Sequence, residues 1–221
     1  MPSRRLNLPD SASLADSGAD GRMYAPSAAR NVAAILEVVQ RCAPATGTAL
    51  EIASGTGEHM VQFASALPGL IWQPSDIDDG RLASIRAWTS GIANVREPIR
   101  LDATAPGWAQ GLAPPDLIFL SNLLHLISED EADTVVSGAA RLLAPGGTML
   151  IYGPFRRGAD FASEGDRRFH ADLTAQDPAI GYKSVQTVEG WQAAAGLHEL
   201  SVIRMPASNL ILLARKPTAR G

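Results

Sequence analysis

The sequence predicts an α/β protein with a Rossmann-like, doubly wound sheet of seven strands that is mostly parallel and ends in an antiparallel hairpin. Short apolar runs alternate with segments of helical periodicity through five units, which is typical of a parallel sheet covered by helices on both faces. The last two apolar runs, 200–204 and 210–214, are joined by a short link. Such a link cannot carry a crossover, so these two strands are predicted to pair as a hairpin.

Each helix is predicted from its apolar spacing and from the residues that begin or end it. Ser27 is expected to cap the first helix, where apolar residues recur at i, i+3, i+4 and i+7. Asp78 or Asp79 can cap the third, and Ser128-Glu129-Asp130-Glu131 has the form of a capping box. Two further helices are expected at 167–175 and 188–195. The predicted strands are 48–52, 70–72, 99–101, 117–120, 148–152, 200–204 and 210–214.

The domain organisation is predicted to be simple. Residues 1–23 are rich in Ser, Asp, Gly and Ala and show no hydrophobic period, so we expect a mobile N-terminal arm. Residues 24–221 are expected to form a single domain. Within it, the irregular segment 154–186 is expected to build the substrate side, because loops usually carry specificity.

Composition narrows the classes of function. The net charge is −4 and no Lys/Arg-rich run is present, so no nucleic-acid partner is expected. Cys42 is the single cysteine, which excludes an intrachain disulfide and fits a cytoplasmic location. No apolar stretch is long enough to predict a membrane span, and the histidines lack the spacing of metal ligands. The oligomeric state leaves no signal in the sequence.

The strongest motif is Glu51-Ile-Ala-Ser-Gly-Thr-Gly-Glu-His59, between the first sheet strand and its helix. Gly55 and Gly57 allow a tight turn and the close approach of a ligand to the backbone, and the amides at the helix start can receive an anionic group. A Gly-x-Gly turn is also compatible with nicotinamide dinucleotides. Their fingerprint has a third glycine, however, where this sequence has Met60.

The pattern Glu-x-x-x-Gly-x-Gly resembles the first motif of class I S-adenosylmethionine-dependent methyltransferases. The resemblance covers residues 48–152 by motif and 197–215 by topology. Within this class the sequence is similar to a bacterial branch of uncharacterised methyltransferase-like proteins, a domain of unknown function. The further motifs that carry the resemblance are 73–78 after the second strand, 102–103 after the third, 116–125 around the fourth and 142–147 before the fifth.

The resemblance implies S-adenosyl-L-methionine as the cofactor and S-adenosyl-L-homocysteine as the product. It assigns Asp76 to the ribose hydroxyls and Asp102 to the adenine amino group. Glu51 is expected to fix the glycine loop or to lie near the cofactor ammonium, and His59 to cap its helix or to contact the cofactor. The expected cofactor-binding residues are Tyr24, Arg30, Glu51, Ala53, Ser54, Gly55, Gly57, His59, Asp76, Ile77, Asp102, Ala103, Asn122 and Leu123.

On the acceptor side, His125 and Tyr152 are the catalytic candidates. His125 could deprotonate a thiol, phenol or amine, could pack against the cofactor, or could bond to backbone. Arg156 and Arg157 could clamp an acidic substrate or form a solvated pair. Phe161 and Tyr182 could line the pocket, but packing in the core is the favoured expectation. The expected substrate-binding residues are Tyr24, Asn31, His125, Tyr152, Arg156 and Arg157.

Methyl transfer from S-adenosylmethionine to a small-molecule nucleophile is therefore the predicted function. The sequence does not distinguish a thiol, phenol, amine or carboxylate acceptor. Two alternatives stay open, namely a non-catalytic S-adenosylmethionine-binding protein and a nicotinamide-dependent oxidoreductase. Met60 and the closing hairpin disfavour the second of these.

Overall fold

The computed structural model describes residues 15–219, which include a small antiparallel strand pair and a large sheet. The pair is β1 (Asp16–Ser17) and β2 (Met23–Tyr24). The strands of the large sheet are β3 (Gly47–Ile52), β4 (Leu70–Asp76), β5 (Ile99–Arg100), β6 (Leu117–Ser121), β7 (Thr148–Gly153), β8 (His198–Arg204) and β9 (Leu210–Arg215).

Within the described residues, the large sheet has seven strands in the order β5-β4-β3-β6-β7-β9-β8. Strands β3 to β7 pair in parallel, whereas β9 is antiparallel to both β7 and β8. The order reverses direction at β3, so the strands on its two sides receive helices on opposite faces. This topology confirms the predicted fold class and the closing hairpin.

The helices cover both faces of the sheet. Apolar residues of α1 and α2 pack on one face, and those of α4 and α6 pack on the other. Strands β6 and β7 are almost entirely buried and read as mostly apolar runs, as expected for a covered parallel sheet. The helices are α1 (Pro26–Cys42), α2 (Glu58–Ala66), α3 (Asp79–Thr89), α4 (Glu129–Leu142), α5 (Glu164–Gln176) and α6 (Val185–Ala194), with a 3₁₀ turn at Leu124–Leu126.

The helix starts agree with the predicted caps except in α1. The capping box of α4 is present, with Ser128 N donating to Glu131 Oε2 at 2.8 Å. Asp78 caps α3 by accepting from Arg81 N at 2.9 Å. The expected cap at Ser27 is wrong, because α1 begins one residue earlier at Pro26. Proline suits the first helical position, since the N–H that it lacks would have no intrahelical partner there.

The N-terminal segment departs from the expected arm. Residues 1–14 of the predicted arm lie outside the described residues, but β1 and β2 form a hairpin that packs on α3. Met23 N donates to Ser84 Oγ at 2.7 Å, and Trp88 Nε1 donates to Met23 O at 2.9 Å. The Arg22 guanidinium lies 4.7 Å from the centre of the Trp88 ring. Local patterning does not predict this hairpin, because the α3 residues that hold it lie more than 60 positions away in the sequence.

Across residues 15–219, no helix combines the length and apolarity needed to cross a bilayer.

Candidate active site

The glycine loop after β3 has two glycines with different surroundings. Gly57 has a φ of +93°, and a Cβ there would lie 2.9 Å from the backbone Cα of Ile85. Gly55 has a φ of +61°, but a Cβ there would meet no atom of residues 15–219 within 4 Å. Gly57 therefore lets α2 and α3 approach each other closely. Gly55 instead leaves the loop backbone open to a ligand.

The carboxylate of Asp76, at the end of β4, lies beneath this loop. Its Oδ2 accepts from Gly55 N at 2.9 Å, and its Oδ1 accepts from Asp78 N at 3.1 Å. Burial raises the pKa of Asp76, although Arg81, 3.9 Å away, and the amide donors act in the opposite direction. Asp76 is thus a structural anchor of the loop, and its predicted contact with ribose hydroxyls stays a prediction.

Glu51, the acid of the motif, is buried at the end of β3 with 1% of its surface exposed. Its Oε2 has no hydrogen-bond partner among residues 15–219. Burial raises the pKa of Glu51 to about 8, while a hydrogen bond with Ser54 lowers it and the Asp76 carboxylate raises it further. Buried polar atoms are normally hydrogen-bonded, so an orphaned carboxyl oxygen beside an open loop fits a site completed by a cationic ligand.

The raised pKa of Glu51 has a testable effect on stability. A carboxyl group that keeps its proton when folded stabilises the protein below its unfolded pKa of about 4.5 and loses that effect as the pH rises towards 8. Glu51→Gln, which imitates the protonated group, should therefore raise the melting temperature of the unliganded protein at pH 8 and change it little at pH 4.5. Thermal unfolding across this range checks the effect, and a variant less stable than wild type at pH 8 would contradict it.

A cavity of about 740 Å³ lies over the loop, at the carboxyl ends of β3, β6 and β7. Ligands of open α/β sheets bind at this edge, outside the carboxyl ends of the strands. The residues predicted from sequence that line the cavity are Arg30, Asn31, Ala53, Ser54, Gly55, His59, Asn122, Leu123, His125 and Tyr152.

Some of the lining backbone is in the left-handed region. Ala53, Asn122 and Ala207 have φ values of 54°, 53° and 53°. Such a conformation costs a side-chain-bearing residue of order 1–3 kcal/mol and is concentrated at ligand sites. Ala53 follows β3 and Asn122 follows β6, so both strained positions belong to turns that shape the cavity.

Several predicted site residues do not line the cavity. Arg156 Nε donates to the carbonyl of Tyr182 at 3.1 Å, and the Arg157 backbone pairs with Asp160, so the expected arginine clamp is not formed there. Asp102 accepts from Thr104 within its own turn. The residues expected at the site but absent from its lining are Tyr24, Glu51, Gly57, Asp76, Ile77, Asp102, Ala103, Arg156 and Arg157. Glu51, Gly57 and Asp76 instead support the loop from below or behind.

Sequence reasoning missed part of the lining. Tyr182 packs in a small apolar cluster, as favoured from the sequence, and it also forms part of the cavity wall. The irregularity of 154–186 is the one signal that pointed to this wall, and it could not single out residues. The other lining residues that were missed are Ala15, Ala25, Ser27, Ala28, Thr56, Arg81, Ser121, Leu126, Pro154, Asp166, Phe169, Pro206, Ala207 and Asn209.

Asn31 joins α1 to two other elements through a polar network. Its Oδ1 lies 2.8 Å from His59 Nε2 in α2, and its side chain also hydrogen-bonds Tyr152 at the end of β7. Burial lowers the pKa of His59 to about 4, although a hydrogen bond to the Ala28 backbone raises it. Burial raises the pKa of the Tyr152 hydroxyl. Both groups are therefore neutral at physiological pH, so the network itself contributes polarity but no charge to the cavity wall.

His125 is also neutral. It is 7% exposed, and burial lowers its pKa to about 3, with the nearby Lys183 ammonium acting in the same direction. Lys183 Nζ donates to the carbonyls of Ile127 at 2.6 Å and Gly181 at 2.9 Å. Protonating His125 would place a second buried cation beside Lys183, so the arrangement opposes proton uptake by this ring.

Comparison with solved structures places this fold among methyltransferases. The chain is similar to an O-methyltransferase family protein from Burkholderia thailandensis, with a TM-score of 0.74, 21% identity and coverage of 88% of this chain and 57% of that chain. It is similar to a Planctomyces limnophilus O-methyltransferase family 2 protein in complex with apigenin, with a TM-score of 0.70 and 20% identity. The match covers 86% of this chain and 57% of that chain. It is also similar to human N-acetylserotonin methyltransferase in complex with SAM, with a TM-score of 0.68 and 16% identity. That match covers 85% of this chain and 55% of the human chain.

The fold is thus that of S-adenosylmethionine-dependent methyltransferases, and the chain spans just over half the length of these three proteins. The chain itself belongs to the family described as "Protein of unknown function (DUF938)", whose model matches residues 22–216.

Proposed function

We propose that this protein transfers a methyl group from S-adenosylmethionine to a small-molecule nucleophile. The observation that carries the proposal is the open glycine loop, anchored by Asp76 and placed beside the orphaned carboxyl of Glu51. The fold, shared with a protein crystallised in complex with SAM, supports the same cofactor. A cytoplasmic location and a substrate other than nucleic acid, both expected from composition, belong to the proposal.

The residues present fit the cofactor. The open backbone at Gly55 would face it. Glu51 and Asp76 lie beneath the loop and do not line the cavity, so their predicted contacts with the ammonium and the ribose would require the loop to move aside. When bound, S-adenosylmethionine supplies an electrophilic methyl group on its sulfonium. The predicted contact between Asp102 and the adenine would require this carboxylate to leave Thr104, with which it now forms hydrogen bonds.

We infer that positioning, rather than a general base, is the main contribution of the chain. His125 and His59 both have strongly lowered pKa values, so neither is matched to accepting a proton at neutral pH. The Tyr152 hydroxyl, held by Asn31, would orient the acceptor. Correct alignment of two reactants can by itself supply roughly 7–11 kcal/mol of the barrier reduction.

The role of His125 gives a direct test once an acceptor is known. A screen of small nucleophiles for transfer of a labelled methyl group would identify that acceptor. With it, His125→Phe should retain turnover within about tenfold, because a ring remains in the wall, whereas loss of a true general base costs about 10²–10⁴-fold. Wild-type turnover should show no acid limb due to His125 near its unperturbed pKa of about 6.5. An acid limb near pH 6.5 that disappears in the variant would assign the base role to His125.

A further inference from the structure

The segment 154–186 and the 3₁₀ turn after β6 together form an aromatic wall of the cavity. The ring centres of His125 and Phe169 are 5.9 Å apart, those of His125 and Tyr182 are 5.9 Å apart, and those of Phe169 and Tyr182 are 6.2 Å apart. All three rings line the cavity, together with Leu126 and Pro154. At these distances the rings pack edge to face on one another, and the surface that they present to the cavity with Leu126 and Pro154 is apolar, which suits a flat aromatic ligand.

One carboxylate lies on the same wall. Asp166 lines the cavity near the start of α5, where its Oδ1 accepts from Tyr182 Oη at 3.2 Å and its Oδ2 accepts from Ser163 Oγ at 2.7 Å. Ser163 also caps the helix through Asp166 N at 3.1 Å, so the carboxylate is held from both sides. Each carboxylate oxygen can accept more than one hydrogen bond, and Asp166 therefore retains capacity for a ligand donor.

The charges around this wall oppose one another. Lys183 and Arg156 are cations behind the wall, with their donors directed at backbone carbonyls, and neither lines the cavity. Arg167 pairs with Glu164 at 3.5 Å on the outer side of α5. A cationic ligand would be attracted by Asp166 but repelled by Lys183 and Arg156. An anionic ligand would be attracted by Lys183 and Arg156 but repelled by Asp166. An uncharged ligand that donates a hydrogen bond avoids both repulsions.

We propose that this wall is the acceptor subsite and that it selects uncharged planar aromatic molecules with a hydroxyl or N–H group that donates to Asp166. The proposal rests on the proposed methyl transfer, because it names the class of acceptor for that reaction. It assigns Asp166 as the specificity-determining residue and Phe169 and Tyr182 as the packing surface.

The test uses four naphthalene derivatives that differ in one substituent. These are 2-naphthol, 2-methoxynaphthalene, naphthalene-2-carboxylate and 2-naphthylmethylammonium. Dissociation constants are measured by ligand-observed NMR on the full chain, saturated with S-adenosylhomocysteine. We expect 2-naphthol to bind about tenfold more tightly than each of the other three, the usual effect of one hydrogen bond to a charged acceptor. Equal or tighter binding of the ether, the carboxylate or the ammonium compound would overturn the proposal.

Two variants test whether Asp166 and Phe169 are responsible for the binding of these compounds. Asp166→Asn should reduce the advantage of 2-naphthol over its methyl ether to less than about threefold, and Phe169→Ala should weaken all four compounds. Glu164→Gln is the matched control, because this exposed residue lies on the same helix and does not line the cavity. An unchanged preference in Asp166→Asn would also overturn the proposal.

Titration of the same samples with S-adenosylhomocysteine distinguishes failure of the acceptor subsite from failure of the proposed methyl transfer. If S-adenosylhomocysteine binds normally but 2-naphthol shows no preference, the acceptor subsite fails while the proposed methyl transfer stands. If S-adenosylhomocysteine does not bind the wild-type chain, the proposed function itself fails. Normal S-adenosylhomocysteine binding by Asp166→Asn and Phe169→Ala shows that these variants are folded.

Discussion

Asp76→Ala is expected to weaken the binding of S-adenosylhomocysteine by at least about tenfold. The substitution removes the carboxylate that holds the amides of Gly55 and Asp78, and with them the conformation of the glycine loop. It also removes the predicted acceptor for the ribose hydroxyls. Hydrogen bonds to a charged acceptor contribute roughly 1.5–3 kcal/mol each, and a tenfold change in affinity corresponds to about 1.4 kcal/mol. Isothermal titration calorimetry measures the change directly.

Asp79→Ala is the matched control for this experiment. Asp79 is another carboxylate of the same turn, but it is 78% exposed and pairs with Arg100 at 2.7 Å on the surface. Its loss should change the affinity less than twofold, since exposed ion pairs contribute little. If Asp76→Ala kept wild-type affinity, the ribose contact would have to be reassigned, and Asp78 would be the next candidate.

Gly57→Ala is expected to be strongly destabilising. A residue with a side chain pays roughly 1–2 kcal/mol for the left-handed conformation, and overpacking adds roughly 1–3 kcal/mol. Both costs apply, because Gly57 has a φ of +93° and its added Cβ would lie 2.9 Å from the Cα of Ile85. We therefore expect the free energy of unfolding to fall by at least about 2 kcal/mol, measured by urea denaturation.

Gly91→Ala separates these two costs. Gly91 follows α3 and has a φ of +79°, but in the described part of the chain no atom lies within 4 Å of a Cβ placed there. This variant should lose only the conformational part, roughly 1–2 kcal/mol. Equal losses in the two variants would show that the close approach of α2 and α3 at Gly57 contributes nothing beyond backbone strain.

Much of the fold could be predicted because its signals are local. The alternation of apolar runs with segments of helical periodicity predicted the parallel sheet, and the capping box at Ser128 predicted the start of α4. The prediction for β4 stopped at Trp72, whereas the strand continues to Asp76 through a Gln, a Pro and a Ser. Pro74 is tolerated in β4 because β5 pairs only with Ser75 and Asp76, the last two residues of β4. The N–H that Pro74 lacks is therefore not needed for pairing with β5.

The candidate site was predictable only where a motif carries it. The residues of the glycine loop are contiguous, so their roles follow from one turn. The aromatic wall depends on how α5 and the chain around Tyr182 fold back over the 3₁₀ turn, and no periodicity encodes that contact. The lowered pKa of His125 could not be predicted from the sequence for the same reason. Burial and Lys183, which is distant in the sequence but close in the fold, determine it.

Calorimetric titration of the wild-type chain with S-adenosylhomocysteine and, separately, with NAD⁺ tests the central claim most directly. The open loop at Gly55, the Asp76 anchor and the orphaned Glu51 carboxyl predict binding of S-adenosylhomocysteine and no measurable heat with NAD⁺. Met60, fully buried where the dinucleotide fingerprint has a glycine, supports the second expectation. Binding of NAD⁺ without any response to S-adenosylhomocysteine would contradict the account.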